Sequence, residues 1–104
     1  MPEKNTVQLV CVAEFRALDG KTDELITALH SLIAPTHKEK GCLRYELNQR
    51  IDDTRWITFI EKWEDRTSFD QHCGEPYIKN YFDNLRPRLV ETFEVRLYQE
   101  FHPQ

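Results

Sequence analysis

A chain of 104 residues has the size of one small domain, since a second cored unit would leave each half too short to fold unaided. With 39% hydrophobic and 31% charged residues it has the composition of a soluble globular protein, and no apolar run reaches the ~18 residues needed to cross a bilayer. The net charge of −4, from 14 scattered bases and 18 acids, argues against a nucleic-acid partner.

The first six residues contain no apolar stretch of the kind a secretory signal needs, so the expected location is the cytoplasm. Residues 7–16 alternate Val7, Leu9, Cys11, Ala13 and Phe15 on one face, while Val10 and Val12 make the other face apolar too. This predicts a strand covered on both sides. Asp19-Gly20 makes a turn, and Leu25, Leu29, Leu32, Ile33 and Thr36 come after it at helical spacing. They predict one helix over about 20–38, with Pro35 kinking or ending its last turn.

Lys40-Gly41 closes that helix, and 42–51 alternates Leu43, Tyr45 and Leu47 with Arg44, Glu46 and Asn48 as a second strand. A tight turn at Asp52-Asp53-Thr54 leads into a third strand over 55–63, which must pair with the second as an antiparallel hairpin. Asp65 caps a short helix over 66–73. Glu75-Pro76 starts another, with Tyr77, Ile78, Tyr81, Phe82 and Leu85 on its apolar side until Pro87 weakens it. Residues 92–101, with Phe93, Val95 and Leu97 against Glu94, Arg96 and Tyr98, form the last strand.

The order β-α-β-β-α-β predicts an α+β, ferredoxin-like fold: helices on one face of an antiparallel sheet, the other face open to a second cover. A core this small gains from self-association, so a homodimer is expected, joined through the sheet face that carries Trp56 and Ile60. The chain reads as one domain over 1–104 with a core of about 7–101. Neither a phosphate-cradling glycine loop nor a dinucleotide fingerprint is present, and no serine sits in a nucleophile elbow. Cys11, Cys42 and Cys73 lie far apart, without zinc spacing, and read as buried thiols. No metal or organic cofactor is expected.

One position breaks the pattern. Ile57, Phe59, Glu61 and Trp63 share a strand face, which puts a carboxylate in an apolar row. Either Glu61 lies at the sheet margin paired with a base or an indole, or it faces a cavity with a raised pKa and can hold a proton. Trp63 is a core aromatic or an indole donor beside Glu61. His72 either caps its helix or serves as an acid or base. His30 and His102 read as solvated, His37 as intermediate. Tyr45, Phe59, Tyr77, Tyr81 and Phe82 supply a plain core or the wall of a pocket for a flat ligand. Alternation and the short link at Glu64-Asp65 bring Glu61, Trp63 and His72 to one cavity, walled by Tyr45 and Phe59.

Three stretches, Gly41-Cys42-Leu43-Arg44-Tyr45-Glu46, Glu61-Lys62-Trp63-Glu64-Asp65, and Phe69-Asp70-Gln71-His72 with Glu75-Pro76-Tyr77, resemble the antibiotic biosynthesis monooxygenase domain, including its quinol monooxygenase-like members. The resemblance runs from about Val7 to Leu97. It implies two subunits joined as a dimeric α/β barrel, each with a pocket between sheet and helices. It also implies oxidation of a small phenolic or quinol-like compound by O₂ without metal, flavin or nicotinamide. On it His72, Glu61 and Trp63 become the catalytic candidates and Tyr45, Phe59, Tyr77 and Tyr81 the substrate-binding ones. The family commonly has His after the helical Pro where this chain has Tyr77. Proteins of the same fold degrade haem with an Asn on the first strand, which is absent here. Others isomerise a small phosphorylated signalling sugar, a role that would need Arg44 or Arg50 in the pocket. A non-enzymatic dimeric small-molecule-binding protein is the third alternative.

Overall fold

The computed structural model describes residues 8–101, so Val7 and His102 lie outside the described residues. Four strands, β1 (Leu9–Ala17), β2 (Cys42–Gln49), β3 (Trp56–Trp63) and β4 (Val90–Gln99), form one antiparallel sheet in the order β2-β3-β1-β4. This is the ferredoxin-like α+β fold that the element order predicts. Central β1 pairs with β3 from Leu9↔Trp63 to Arg16↔Trp56 and with β4 from Leu9↔Gln99, with a bulge at Arg16/Ala17. Its alternation is clean: Leu9, Cys11, Ala13, Phe15 and Ala17 are buried under the helices, while Val10 and Val12 are half-buried on the opposite face.

The helices are irregular in two places, both near prolines. The expected single helix over 20–38 is two, α1 (Thr22–His30) and α2 (Ile33–His37). Pro35 has no N–H to donate to the carbonyl of Ser31 and its ring crowds that carbonyl, so the break falls four residues earlier. Ser31 fills part of the gap by donating its hydroxyl to the Ala28 carbonyl at 2.6 Å. After β3 come α3 (Arg66–Cys73), capped by Asp65 on the Ser68 N–H at 2.8 Å, and α4 (Pro76–Asn80). The second helical segment, which Pro87 is expected to weaken, becomes irregular just before it and runs on beyond it. A π-helical turn over Tyr81–Leu85, in which the Arg86 N–H donates to the Tyr81 carbonyl, precedes the proline, and α5 (Arg86–Leu89) continues into β4.

The strand bounds shift by one or two residues, and the β2–β3 connection spans residues 50–55 rather than the tight turn expected. Of the three cysteines only Cys11 is buried; Cys42, at a strand end, is half-exposed, and Cys73, at the end of α3, is exposed. The helices also leave part of the sheet uncovered. They shield β1, β3 and the middle of β2 through Leu25, Leu29, Phe69, Ile78 and Tyr81. Over β4 they reach only the end near Phe93, through the Phe82 ring at 5.9 Å and the Arg86 guanidinium at 4.6 Å. Phe93, Val95 and Leu97 therefore keep 41%, 41% and 39% exposure although they share the helix-side face of the sheet.

Candidate active site

The anomaly of β3 is resolved by geometry. Pairing places Glu61 opposite Cys11 of β1 and Tyr45 of β2, near the middle of the sheet rather than at its margin. The residue is 4% exposed, and its carboxylate accepts a hydrogen bond from the Trp63 indole N–H at 3.0 Å, with the Cys11 thiol as a second neighbouring donor on β1. Burial pushes its pKa up from the ordinary 4.5 to about 7, against the pull of those two donors. Near neutral pH the group is thus divided between its acid and its base form.

His72 reaches the same face from α3. The connection through Glu64-Asp65 is held by the Glu64 N–H on the Gly41 carbonyl at 2.8 Å, and α3 folds back over Trp63. The helix carbonyls at this end are met by backbone, with Gly74 N–H on Gln71 O and Glu75 N–H on His72 O, so the imidazole is not spent as a cap. It is 4% exposed, with its ring 4.5 Å from the Trp63 ring and 5.4 Å from Tyr45. Burial lowers its pKa below the ordinary 6.5, which favours the neutral imidazole, and the neighbouring Glu39 partly restores it.

Two small cavities, of about 30 and 50 Å³, adjoin these groups. Glu61 and His72 line both. Tyr45, Phe59, Phe15 and Tyr81 wall the first, and Cys11, Phe69, Cys73 and Val95 the second; Phe82 and Ile78 border each. Tyr45 stacks on Phe59 at 4.2 Å, and burial holds the Tyr45 phenol well above its usual range, as a neutral donor. The Tyr81 hydroxyl is buried with no hydrogen-bond partner among the described residues. One water fills roughly 10–15 Å³ of such space, so these cavities have room for a few waters and are too small for an aromatic ring unless their walls shift.

The sequence-derived set is thus partly assembled. Glu61, His72, Tyr45, Phe59 and Tyr81 converge; Trp63 is fully buried behind them and lines neither cavity, although it holds both Glu61 and the His72 ring. Tyr77 also lines neither, because its hydroxyl donates to Glu39. Glu39 is the residue sequence reasoning missed: its Oε2 lies 3.0 Å from His72 Nδ1 and accepts from Tyr77 as well. Arg44 and Arg50 pair with Glu46 and Asp52 at exposed positions, and no Lys or Arg lines either cavity, which removes the anchor a sugar phosphate would need. His30 is exposed as expected, and His37 is exposed with Nε2 3.1 Å from the Tyr45 carbonyl. Among the described residues no three metal-ligating side chains cluster, and no helix is long and apolar enough to cross a membrane.

A buried carboxyl and a buried imidazole thus stand among aromatic side chains on the helix-covered face of a ferredoxin-like sheet, and the comparisons with known proteins give the family. The family model for antibiotic biosynthesis monooxygenase matches residues 8–84, and the chain belongs to that family. It is 30% identical over 90 residues to Rv0793 of Mycobacterium tuberculosis, covering 86% of this chain and 88% of that one. Among solved structures, SO0527 from Shewanella oneidensis superposes with a TM-score of 0.90 at 49% identity, over 92% of this chain and 93% of that one. A conserved protein from Methanosarcina mazei gives 0.85 at 28% identity, over 92% and 95%.

Proposed function

We propose that this protein oxidises a small phenolic or quinol-like compound with O₂, without a bound cofactor. The observation that carries the proposal is the buried pair in an aromatic pocket: Glu61, raised to about 7, and His72, held towards its neutral form. A neutral imidazole can take the phenolic proton, and the protonated share of Glu61 or the Tyr45 hydroxyl can donate to the phenolate oxygen. The phenolate then gives one electron to O₂, and the phenoxyl and superoxide radicals combine to form a carbon–oxygen bond. Loss of water from the hydroperoxide leaves a quinone, with one oxygen atom retained in the product and the other released as water. Such a sequence needs a base, anion-stabilising donors and exclusion of bulk water, all of which these residues can supply.

A homodimer accompanies this reading. It is supported by apolar surface on both sides of the sheet: half-buried Val10, Val12, Trp56 and Ile60 on the open face, and exposed Phe93, Val95 and Leu97 on β4. Val95 also borders the second cavity, so a subunit seated on β4 would close the pocket. Oxygen uptake by the purified protein with a panel of hydroquinones tests the reaction: uptake matched by quinone formation and lost in His72→Ala supports it. No uptake with any member, despite saturable binding, favours the binding-protein alternative.

A further inference from the structure

We propose that Glu39 is the positioning residue of this site: it anchors His72 through Nδ1, with Tyr77 as its second tether, and so presents Nε2 as the proton acceptor. The inference rests on the reading of His72 as the base and extends it to a residue outside the cavity walls.

The geometry is specific. Glu39 lies in the link between α2 and β2 and is itself held at both ends, its N–H on the Thr36 carbonyl at 3.0 Å and its carbonyl on the Cys42 N–H at 3.2 Å. Its side chain is 11% exposed and that of His72 5%, so the contact at 3.0 Å is shielded from water. Of the imidazole's two nitrogens only one can carry the proton in the neutral ring, and a carboxylate can only accept. An ionised Glu39 therefore selects the Nδ1–H tautomer and leaves the Nε2 lone pair for the cavity that His72 lines. Tyr77 donates to the same oxygen, Oε2, which fixes the carboxylate from a third element, α4. When Nε2 accepts a phenolic proton, the O–H bond breaks, an N–H bond forms, and the charge on the imidazolium is met by Glu39 without any side chain having to move.

Other charged or titratable groups around His72 do not compete for Nδ1. Glu61 is engaged by Trp63, Tyr45 meets His72 edge to face, and Glu75 acts on it only through its charge. Glu39 is thus the partner that sets the tautomer.

The test reads the ring directly, without substrate. At pH 7.5 the ¹⁵N shifts of His72 are expected to show a protonated Nδ1 and a bare Nε2. Glu39→Leu keeps the bulk but removes the acceptor from Nδ1, so the Nδ1–H form should lose its preference and the ring proton should move towards Nε2. Where a phenol is turned over, kcat should fall ~10²- to 10³-fold with KM little changed, and Glu39→Asp should recover part of the loss. A wild-type proton on Nε2, or a Leu variant that keeps the Nδ1–H form and wild-type kcat, would overturn the proposal. If Glu39→Leu does not fold, Tyr77→Phe removes only the second donor; the carboxylate should then hold the imidazolium more strongly and raise the pH at which His72 titrates. An unmoved titration would overturn it equally. Because the tautomer is measured in the free protein, a proton that shifts as expected in a protein inactive on every phenol preserves the positioning role and removes the phenol chemistry. Oxygen uptake with the proton on Nε2 does the reverse.

Discussion

The two ends of the pocket are built on opposite principles. Around β3 and α3 the two central titratable groups have partners: Glu61 has Trp63, and His72 has Glu39, which in turn has Tyr77. Around the π-helical turn and β4 the Tyr81 hydroxyl is buried without one, and Phe93, Val95 and Leu97 face solvent. A satisfied network is rigid and holds pKa values in place, whereas an unsatisfied hydroxyl and bare apolar surface suit a ligand and a second subunit. In the proposed function the first end does chemistry and the second receives the substrate and the partner.

The largest effect that would break this division is at His72. His72→Ala is expected to lower turnover of an accepted phenol by ~10²- to 10⁴-fold, measured as oxygen uptake, with circular dichroism retaining the native spectrum. Unchanged turnover would make the satisfied end merely structural.

Glu61 allows a test through pH. Its folded pKa, about 7, lies above its ordinary 4.5, so the stability associated with its protonated form is full below pH 4.5 and lost as pH rises through about 7. His72 has the opposite sign: its lowered pKa gives stability that is full above 6.5 and lost as pH falls through the folded value. Comparing wild type with Glu61→Gln cancels the histidine. Urea unfolding should find the variant gaining on wild type as pH rises from 4.5 through about 7, by roughly 3 kcal/mol at most. A pH-independent difference would mean that Glu61 is not desolvated as described.

Gly41 probes how the satisfied end is held. It has φ of +92°, and an added Cβ would stand 2.6 Å from the Ser68 Cβ of α3. Gly41→Ala should therefore destabilise by about 1–3 kcal/mol in chemical denaturation and loosen the loop that carries Glu39. At the other end, Tyr81→Phe removes a hydroxyl that has no partner among the described residues, so stability should change by less than about 1 kcal/mol, in the favourable direction, while KM for a phenol rises. A clear loss of stability would show that Tyr81 belongs to the satisfied half.

Much of this was legible in the residues themselves. Period-two alternation placed Phe59, Glu61 and Trp63 on one face, and the Asp65 cap with its short link put His72 above them, both local signals. Glu39 was invisible because Lys38-Glu39-Lys40-Gly41 has the composition of a solvated turn, and its partners stand 33 and 38 residues away. The uncovered row on β4 escaped for a related reason. Alternation assigns a side chain to a face but does not say how far the helices extend across it.

Central β1 also bears on how the chain is made. Emerging first on the ribosome among the four strands, it finds its partners only when β3 and then β4 have been synthesised, Leu9 pairing with Trp63 and finally with Gln99. Until then an apolar ribbon, open on both edges, must avoid its counterparts on neighbouring nascent chains, and the last pairing closes nearly all the described residues into one loop. Crowded polysomes at high expression are thus where this fold is most exposed to aggregation, and slower synthesis at lower temperature should raise its soluble yield.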